Sequence, residues 1–165
     1  MEPLITLVGV TLALWAAGAL GVHRLRPWPV AVRGGLAAMF GLTGVVHFVG
    51  MRDELIAMVP PALPAPELLV TVTGVLELAG AAALLWPRTA PWAAAGLAVL
   101  LVAMFPANVH LAVTGTDLPP HQELLPRTAM QVVFLAAAVS VVLAHLRGWD
   151  RRATRRAPEE SPAGR

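Results

Sequence analysis

The sequence contains no cysteine, which excludes disulfide-stabilised folds, thiolate metal sites, iron–sulfur clusters and thiol redox chemistry. Lysine is also absent, so all twelve basic residues are arginine, and the formal net charge is only +2. Charged residues make up 13% of the 165-residue chain, and the arginines cluster only near the C-terminus. This sparse, scattered charge argues against a nucleic-acid-binding surface.

Long apolar runs are the main feature that is present. Hydrophobic residues make up 57% of the chain, and five runs are long enough to cross about 30 Å of hydrocarbon as helices. They cover residues 4–22, 30–50, 66–86, 91–113 and 128–146. The sequence therefore predicts an all-α membrane protein that contacts the lipid bilayer through five transmembrane helices. A basic tail at 147–165 is expected to be disordered.

The first run resembles a secretory signal peptide, because Ala17-Gly18-Ala19 looks like a cleavage site. A signal peptide carries its positive residues before the apolar run. Here Glu2 precedes the run and the arginines follow it. We therefore predict that residues 1–29 form a retained transmembrane helix with an inner loop.

The positions of the arginines predict the orientation, because cytoplasmic segments carry an excess of positive residues. With the N-terminus outside, ten arginines fall in inner segments and only Arg52 and Arg127 in outer ones. Four tryptophans also fall at predicted inner ends, where amphipathic rings lie among lipid headgroups: Trp28, Trp86, Trp92 and Trp149. We predict a multi-pass protein of the bacterial inner (plasma) membrane with its C-terminus in the cytoplasm.

Glu77 is the most unusual polar residue within the apolar runs, since it lies near the centre of the third span. A carboxyl group at this depth needs a partner or must be protonated. Gly74, Gly80 and Ala81 share its helical face, and small residues let another helix approach, so Glu77 should face the bundle. It is either a proton-handling group in a ligand pocket or a protonated residue that joins two helices.

The second and fourth spans each carry a histidine near the predicted outer end, His47 and His110. Parallel spans place both rings at a similar depth, where a pair can bind a metal or haem or make interfacial hydrogen bonds. Nothing in the sequence shows that the rings face each other. We therefore predict no metal site.

Pro106 interrupts the fourth span two residues before Asn108 and leaves the Val102 carbonyl without its helical donor. Asn108 either repairs this exposed backbone or binds a ligand. Gln131 is the remaining strongly polar residue within a span. Most of these groups fall in the outer half, which favours an outward-facing pocket over a continuous ion path. The predicted pocket residues are Glu77, His47, Asn108, His110 and Gln131.

The outer segment 51–65 contains a short apolar stretch followed by Pro60, Pro61 and Pro64. Asp53 is placed to cap a short helix there. The apolar residues of this helix should then lie on the membrane or over the mouth of the bundle.

Four stretches resemble the DoxX-like family of small membrane proteins. They are residues 44–48 (GVVHF), 56–64 (IAMVPPALP), 73–80 (TGVLELAG) and 105–110 (FPANVH). The resemblance covers residues 30–146 and implies a four-helix membrane bundle, similar in outline to vitamin K epoxide reductase-type bundles. The first span is additional to this pattern, and the cysteines that a disulfide-generating bundle needs are missing.

The resemblance also suggests what the protein does. Some members of that family look like subunits of quinone-reducing oxidoreductases, such as thiosulfate:quinone oxidoreductase; others associate with redox-defence proteins or assist the assembly of membrane receptors. We expect either a quinone-binding or redox-associated membrane subunit, with quinone as cofactor and a redox partner protein, or a non-catalytic binding and assembly module. Without cysteine, any redox role depends on a quinone or on a cofactor of the partner.

Overall fold

The computed structural model describes residues 1–115, 119 and 123–156, with side chains up to residue 148. The described chain is helical throughout, with short connections. It contains α1 (Glu2–Ala19), a 3₁₀ turn (His23–Leu25), α2 (Trp28–Val46), α3 (Arg52–Ala57), α4 (Pro66–Leu84), α5 (Ala90–Thr114) and α6 (Leu124–Arg156). Within this part, five helices are long and apolar enough to cross a membrane: all except α3.

These elements make an all-α membrane protein, as the apolar runs predicted. Helices α2, α4, α5 and α6 form a closed ring in which each helix packs against its two neighbours. Helix α1 lies outside the ring and packs against α2. The structure is therefore a four-helix bundle with one additional N-terminal helix.

Sequence features explain where the long helices begin. Pro3, Pro29, Pro66 and Pro91 each stand at the first or second helical position. Proline fits there because the first turn of a helix has no intrahelical partner for its N–H groups. The first four apolar runs thus become helices within two residues of their predicted starts, whereas α6 begins at Leu124, four residues before the predicted start of the fifth run.

The centre of the bundle is filled by apolar side chains from all four ring helices. Phe40, Leu36, Met39 and Leu84 are almost fully buried, and α5 and α6 add Leu97 and Ala138. Most other apolar side chains on these helices are exposed or only partly buried in the isolated chain. Such an exposed apolar surface is expected of helices that face lipid.

Helix α1 approaches α2 closely because two adjacent glycines of α2 face it. A Cβ atom added to Gly35 would lie 2.7 Å from the Leu7 carbonyl oxygen, and one added to Gly34 would overlap the Leu14 side chain. Small residues that allow such approach are a common device for joining membrane helices. The additional span is therefore packed on the bundle rather than loosely tethered.

The two ends of the bundle differ. We call the end that carries α3, the start of α1 and the start of α6 the α3 end, and the other the opposite end. A short helix was expected in segment 51–65, and α3 is that helix. The prediction that Asp53 caps it is wrong, because Met51 is the N-cap and no side chain caps the helix.

Helix α6 is longer than the fifth apolar run, because it continues to Arg156. Part of the tail that was expected to be disordered is therefore helical. Residues 157–165 lie outside the described residues, as do the side chains of Trp149 and of the arginines after Arg147.

Candidate functional site

The site is built at the crossing of the antiparallel helices α2 and α4, where each helix contributes a glycine. A Cβ atom added to Gly74 would lie 2.5 Å from Cβ of His47. A Cβ atom added to Gly44 would lie 3.2 Å from Cβ of Glu77. The glycine of each helix thus accommodates the polar residue of the other, and the two backbones approach closely.

This crossing buries His47 and Glu77 side by side. Nδ1 of His47 lies 3.7 Å from Oε2 of Glu77, and each side chain is only 5% exposed. The distance is too long for a direct hydrogen bond. The Thr43 side chain borders the same cavity as the two groups.

The hydrogen bonds of the pair leave one acceptor on each residue available. Nδ1 of His47 lies 2.8 Å from the Thr43 carbonyl oxygen. Because a carbonyl only accepts, Nδ1 carries the proton, and Nε2 of a neutral ring is then an acceptor. Among the described residues, Nε2 has no hydrogen-bond partner, and Oε2 of Glu77 is buried without one. Unsatisfied buried polar atoms are uncommon, so this oxygen requires a proton, water or ligand.

Two cavities meet beside His47, and Glu77 lines the second of them. The first, of about 250 Å³, lies between α3, the 58–63 connection, α4 and α5. The second, of about 290 Å³, extends from Glu77 towards α6 and the start of α1. Their linings share His47, Leu55, Met58, Met104 and Asn108. The pair therefore stands beside a largely apolar space at the α3 end.

Asn108 belongs to this space, but it does not repair the backbone of its own helix. Its Oδ1 accepts a hydrogen bond of 2.7 Å from Nη1 of Arg127 on α6. Only its amide nitrogen could donate to the unpaired carbonyl, and among the described residues this nitrogen makes no hydrogen bond, so the interpretation of Asn108 as a local repair of the proline kink is not supported. Asn108 itself lines both cavities.

Gln131 takes the position next to the proline-disrupted backbone. Its Nε2 donates a hydrogen bond of 2.6 Å to the Leu101 carbonyl of α5, one residue before the carbonyl that Pro106 deprives of a donor. Gln131 also lines the second cavity. It joins α6 to α5 while bordering the site.

His110 is the one predicted pocket residue that the structure does not bring to the cavities. It is half-buried on α5 and lines neither cavity. Residues two positions apart point to nearly opposite sides of a helix. Because Asn108 faces the cavities, His110 faces away from them.

Arg52 is a residue that sequence reasoning assigned only to the outer loop. Its guanidinium donates to the His47 carbonyl at 3.2 Å, to Oγ1 of Thr71 at 2.9 Å and to the Glu67 carbonyl at 3.4 Å. These bonds connect α3 to the end of α2 and to the first turns of α4. Arg52 therefore holds α3 over the first cavity.

The methionines form a second feature of the site, which the sequence does not reveal because they are far apart along the chain. All six methionines of the chain line the second cavity: Met1, Met39, Met51, Met58, Met104 and Met130. Methionine is unbranched, flexible and polarizable, and it is frequent at surfaces that adapt to their ligands. The apolar wall of the site can therefore adjust its shape.

Comparison with known proteins agrees with the extent of the bundle. The sequence pattern of a family described as a domain of unknown function (DUF8561) matches residues 36–144, from within α2 to within α6, and leaves α1 outside. The chain therefore belongs to the DUF8561 family. No curated protein and no solved structure matches it.

Proposed function

We propose that this member of the DUF8561 family binds the headgroup of a membrane quinone at the α3 end and manages its protons through His47 and Glu77. The observation that carries the proposal is the buried pair itself. Nδ1 of His47 and Oε2 of Glu77 lie 3.7 Å apart, Oε2 has no hydrogen-bond partner, and both residues line an apolar cavity. We also propose that the family is related to the DoxX-like proteins that the sequence resembles.

The chemistry of a quinone suits these groups. Reduction of a quinone to a quinol takes up two electrons and two protons, and each carbonyl oxygen becomes a hydroxyl. A carboxyl and an imidazole within reach of the ring supply protons and hydrogen bonds. The electrons must come from a redox partner protein, because the chain contains no cysteine to supply them through thiol chemistry.

Each cavity residue has a distinct role in this proposal. His47 presents Nε2, which accepts a hydrogen bond when neutral and donates one when protonated. Asn108 offers its amide N–H groups, because its oxygen is already bonded to Arg127. Leu55, Met58 and Met104 provide the apolar surface on which the ring and the start of an isoprenoid chain pack.

A non-catalytic binding and assembly module is the second candidate, and other contacts favour it. Arg127 bonds to Asn108, and Gln131 bonds to the Leu101 carbonyl, so these polar groups join α6 to α5. The reciprocal glycines likewise fix α2 against α4. In this case Glu77 is a protonated residue that fills the crossing and performs no chemistry.

The experiment is purification of the full chain in a mild non-ionic detergent, followed by mass spectrometry of extracted quinones. A short-chain benzoquinone or naphthoquinone is then titrated into the wild type and into the variants, and its binding is measured. The variants are Glu77→Gln, His47→Phe and His110→Ala. We expect His47→Phe to weaken binding by tenfold or more, because it removes a buried partner worth roughly 1–3 kcal/mol. Glu77→Gln should retain binding but lose proton uptake coupled to reduction, since an amide preserves shape without titrating.

His110→Ala is the matched control, because His110 is a membrane histidine outside both cavities. It should bind quinone as the wild type does. Absence of quinone and of titratable binding in the wild type contradicts the proposal and leaves the assembly module as the better candidate. An equal loss of folded protein in Glu77→Gln and His47→Phe also favours the structural role.

A further inference from the structure

The charged side chains are distributed unequally between the two ends of the bundle. Among the described side chains, every carboxylate lies at the α3 end or, for Glu77, in the middle of the bundle. The opposite end carries Arg24, Arg26, Arg33, Arg88 and Arg147. This end therefore has a strong positive field that no described acidic side chain neutralises.

Two of these arginines converge on the mouth of the bundle. Arg33 comes from the second turn of α2 and Arg88 from the α4–α5 connection, and His145 of α6 faces them. Together they line a cavity of about 400 Å³ that opens at the opposite end. Three separate elements thus place nitrogen-bearing side chains around one concave space, which we call the basic mouth.

The hydrogen bonds at the basic mouth leave donors available. Nη2 of Arg33 makes a long bond of 3.4 Å to the Leu85 carbonyl. Its Nε is buried and has no partner among the described residues. A guanidinium is a planar group with five N–H donors that match the oxygens of a phosphate or carboxylate. Arg33 therefore lines the mouth while one of its donors remains unsatisfied, which suits it to bind an anion there.

Three exposed tryptophans indicate the depth of the basic mouth in the membrane. Trp28, Trp86 and Trp92 are 49%, 61% and 80% exposed, and each stands at the same end as the mouth. Exposed tryptophans of membrane proteins lie at the level of the lipid headgroups. The mouth is therefore placed where the phosphates of one leaflet are found.

We propose that the basic mouth binds the phosphate of an anionic membrane phospholipid, with Arg33 and Arg88 as its principal contacts and His145 as an additional donor. The shared chemistry is a phosphate group, and the headgroup level of the mouth identifies a bilayer lipid as its source. The proposal concerns the end opposite the His47–Glu77 pair, so it does not depend on quinone binding.

The test uses the full-length protein in a non-ionic detergent, titrated with phosphatidylglycerol and, as the zwitterionic comparison, phosphatidylcholine. Bound lipid is counted by native mass spectrometry. We expect the wild type to prefer phosphatidylglycerol. In the double variant Arg33→Gln/Arg88→Gln, the affinity of the protein for phosphatidylglycerol should be lower by about tenfold or more. Each arginine near the membrane surface contributes substantially to the attraction of an anionic lipid. The affinity of this variant for phosphatidylcholine should change little.

The matched control is Arg24→Gln/Arg26→Gln, which removes the same charge from exposed positions at the same end. This variant should retain most of the preference for phosphatidylglycerol. An equal loss in the two double variants overturns the proposal, because it shows that only the overall charge matters. If the Arg33 variant does not fold, Arg88→Gln against Arg24→Gln provides the same comparison with two exposed residues.

A final arm separates the two sources of phosphate. Thermal stability is measured with phosphatidylglycerol or with millimolar inorganic phosphate. Stabilisation by the lipid alone supports the proposal. Equal stabilisation by inorganic phosphate overturns the assignment to a lipid.

Discussion

Nδ1 of His47 and Oε2 of Glu77 lie 3.7 Å apart, although the two residues are on different helices and thirty positions apart in sequence. Their approach depends on a repeated spacing. Gly44 precedes His47 by three residues, and Gly74 precedes Glu77 by three. Because residues three apart share a helical face, each glycine stands opposite the polar residue of the other helix. The register of α2 on α4 is therefore tied to the geometry of the site.

Replacing Gly74 with alanine should destabilise this crossing. The added Cβ would lie 2.5 Å from Cβ of His47, an atom attached directly to the backbone that has little freedom to move. We expect a loss of roughly 1–3 kcal/mol, the usual cost of overpacking a core, together with displacement of His47 from Glu77. Reversible unfolding of the detergent-solubilised protein measures the loss.

Gly41→Ala is the control for this prediction. Gly41 lies on α2 with no heavy atom within 4 Å of an added Cβ, so alanine should be neutral or slightly stabilising. Equal stability of Gly74→Ala and Gly41→Ala would show that α2 and α4 do not cross as closely as the structure describes.

Much of the fold follows from the sequence because membrane helices need long apolar runs. The five runs predict five helices, and the small residues around Glu77 correctly predict that it faces the bundle, where it is only 3% exposed. The starts of the helices are also marked, since proline is tolerated there. These properties depend on composition and helical period, both of which are visible in the sequence.

The partners within the site depend on information that periodicity does not contain. The bond between Asn108 and Arg127 joins α5 to α6, and the spacing of residues along one helix does not predict contacts with another helix. The position of His110 outside both cavities, in contrast, follows from helical spacing. Asn108 and His110 are two residues apart, and one helix face does not present both of them to the same cavity.

Replacing Arg52 with lysine should loosen α3 without changing the charge. A lysine ammonium cannot reproduce the planar fork with which Arg52 reaches the His47 carbonyl and the Thr71 hydroxyl at once. We expect faster amide hydrogen exchange in α3 and the 58–63 connection, because these segments then open more often.

The control for Arg52→Lys is Arg26→Lys, at an exposed position of the opposite end. It should leave the exchange of α3 unchanged. Identical exchange profiles for the two variants would mean that the Arg52 contacts do not hold α3 in place.

The bond between Arg127 and Asn108 should be visible as an energetic coupling. Asn108→Leu removes the oxygen that accepts from the guanidinium, and we expect a loss of about 1–3 kcal/mol because a half-buried charged donor loses that acceptor. In a double-mutant cycle with Arg127→Met, the combined loss should be smaller than the sum of the two single losses. Strictly additive losses would contradict a direct interaction.

The orientation of the chain is the last prediction. The α3 end carries only two arginines, Arg52 and Arg127. The described part of the opposite end carries five arginines, and more follow in the sequence. Positive residues are retained on the cytoplasmic side during insertion, so the opposite end should face the cytoplasm and the His47–Glu77 site should open outwards. A fluorescent reporter that folds only in the cytoplasm should be active when fused after Arg165 and inactive when fused before Met1. A reporter that requires the outer compartment should give the reverse pattern. Activity of the cytoplasmic reporter at Met1 but not at Arg165 would show that the protein has the opposite orientation, with the site on the inner side of the membrane.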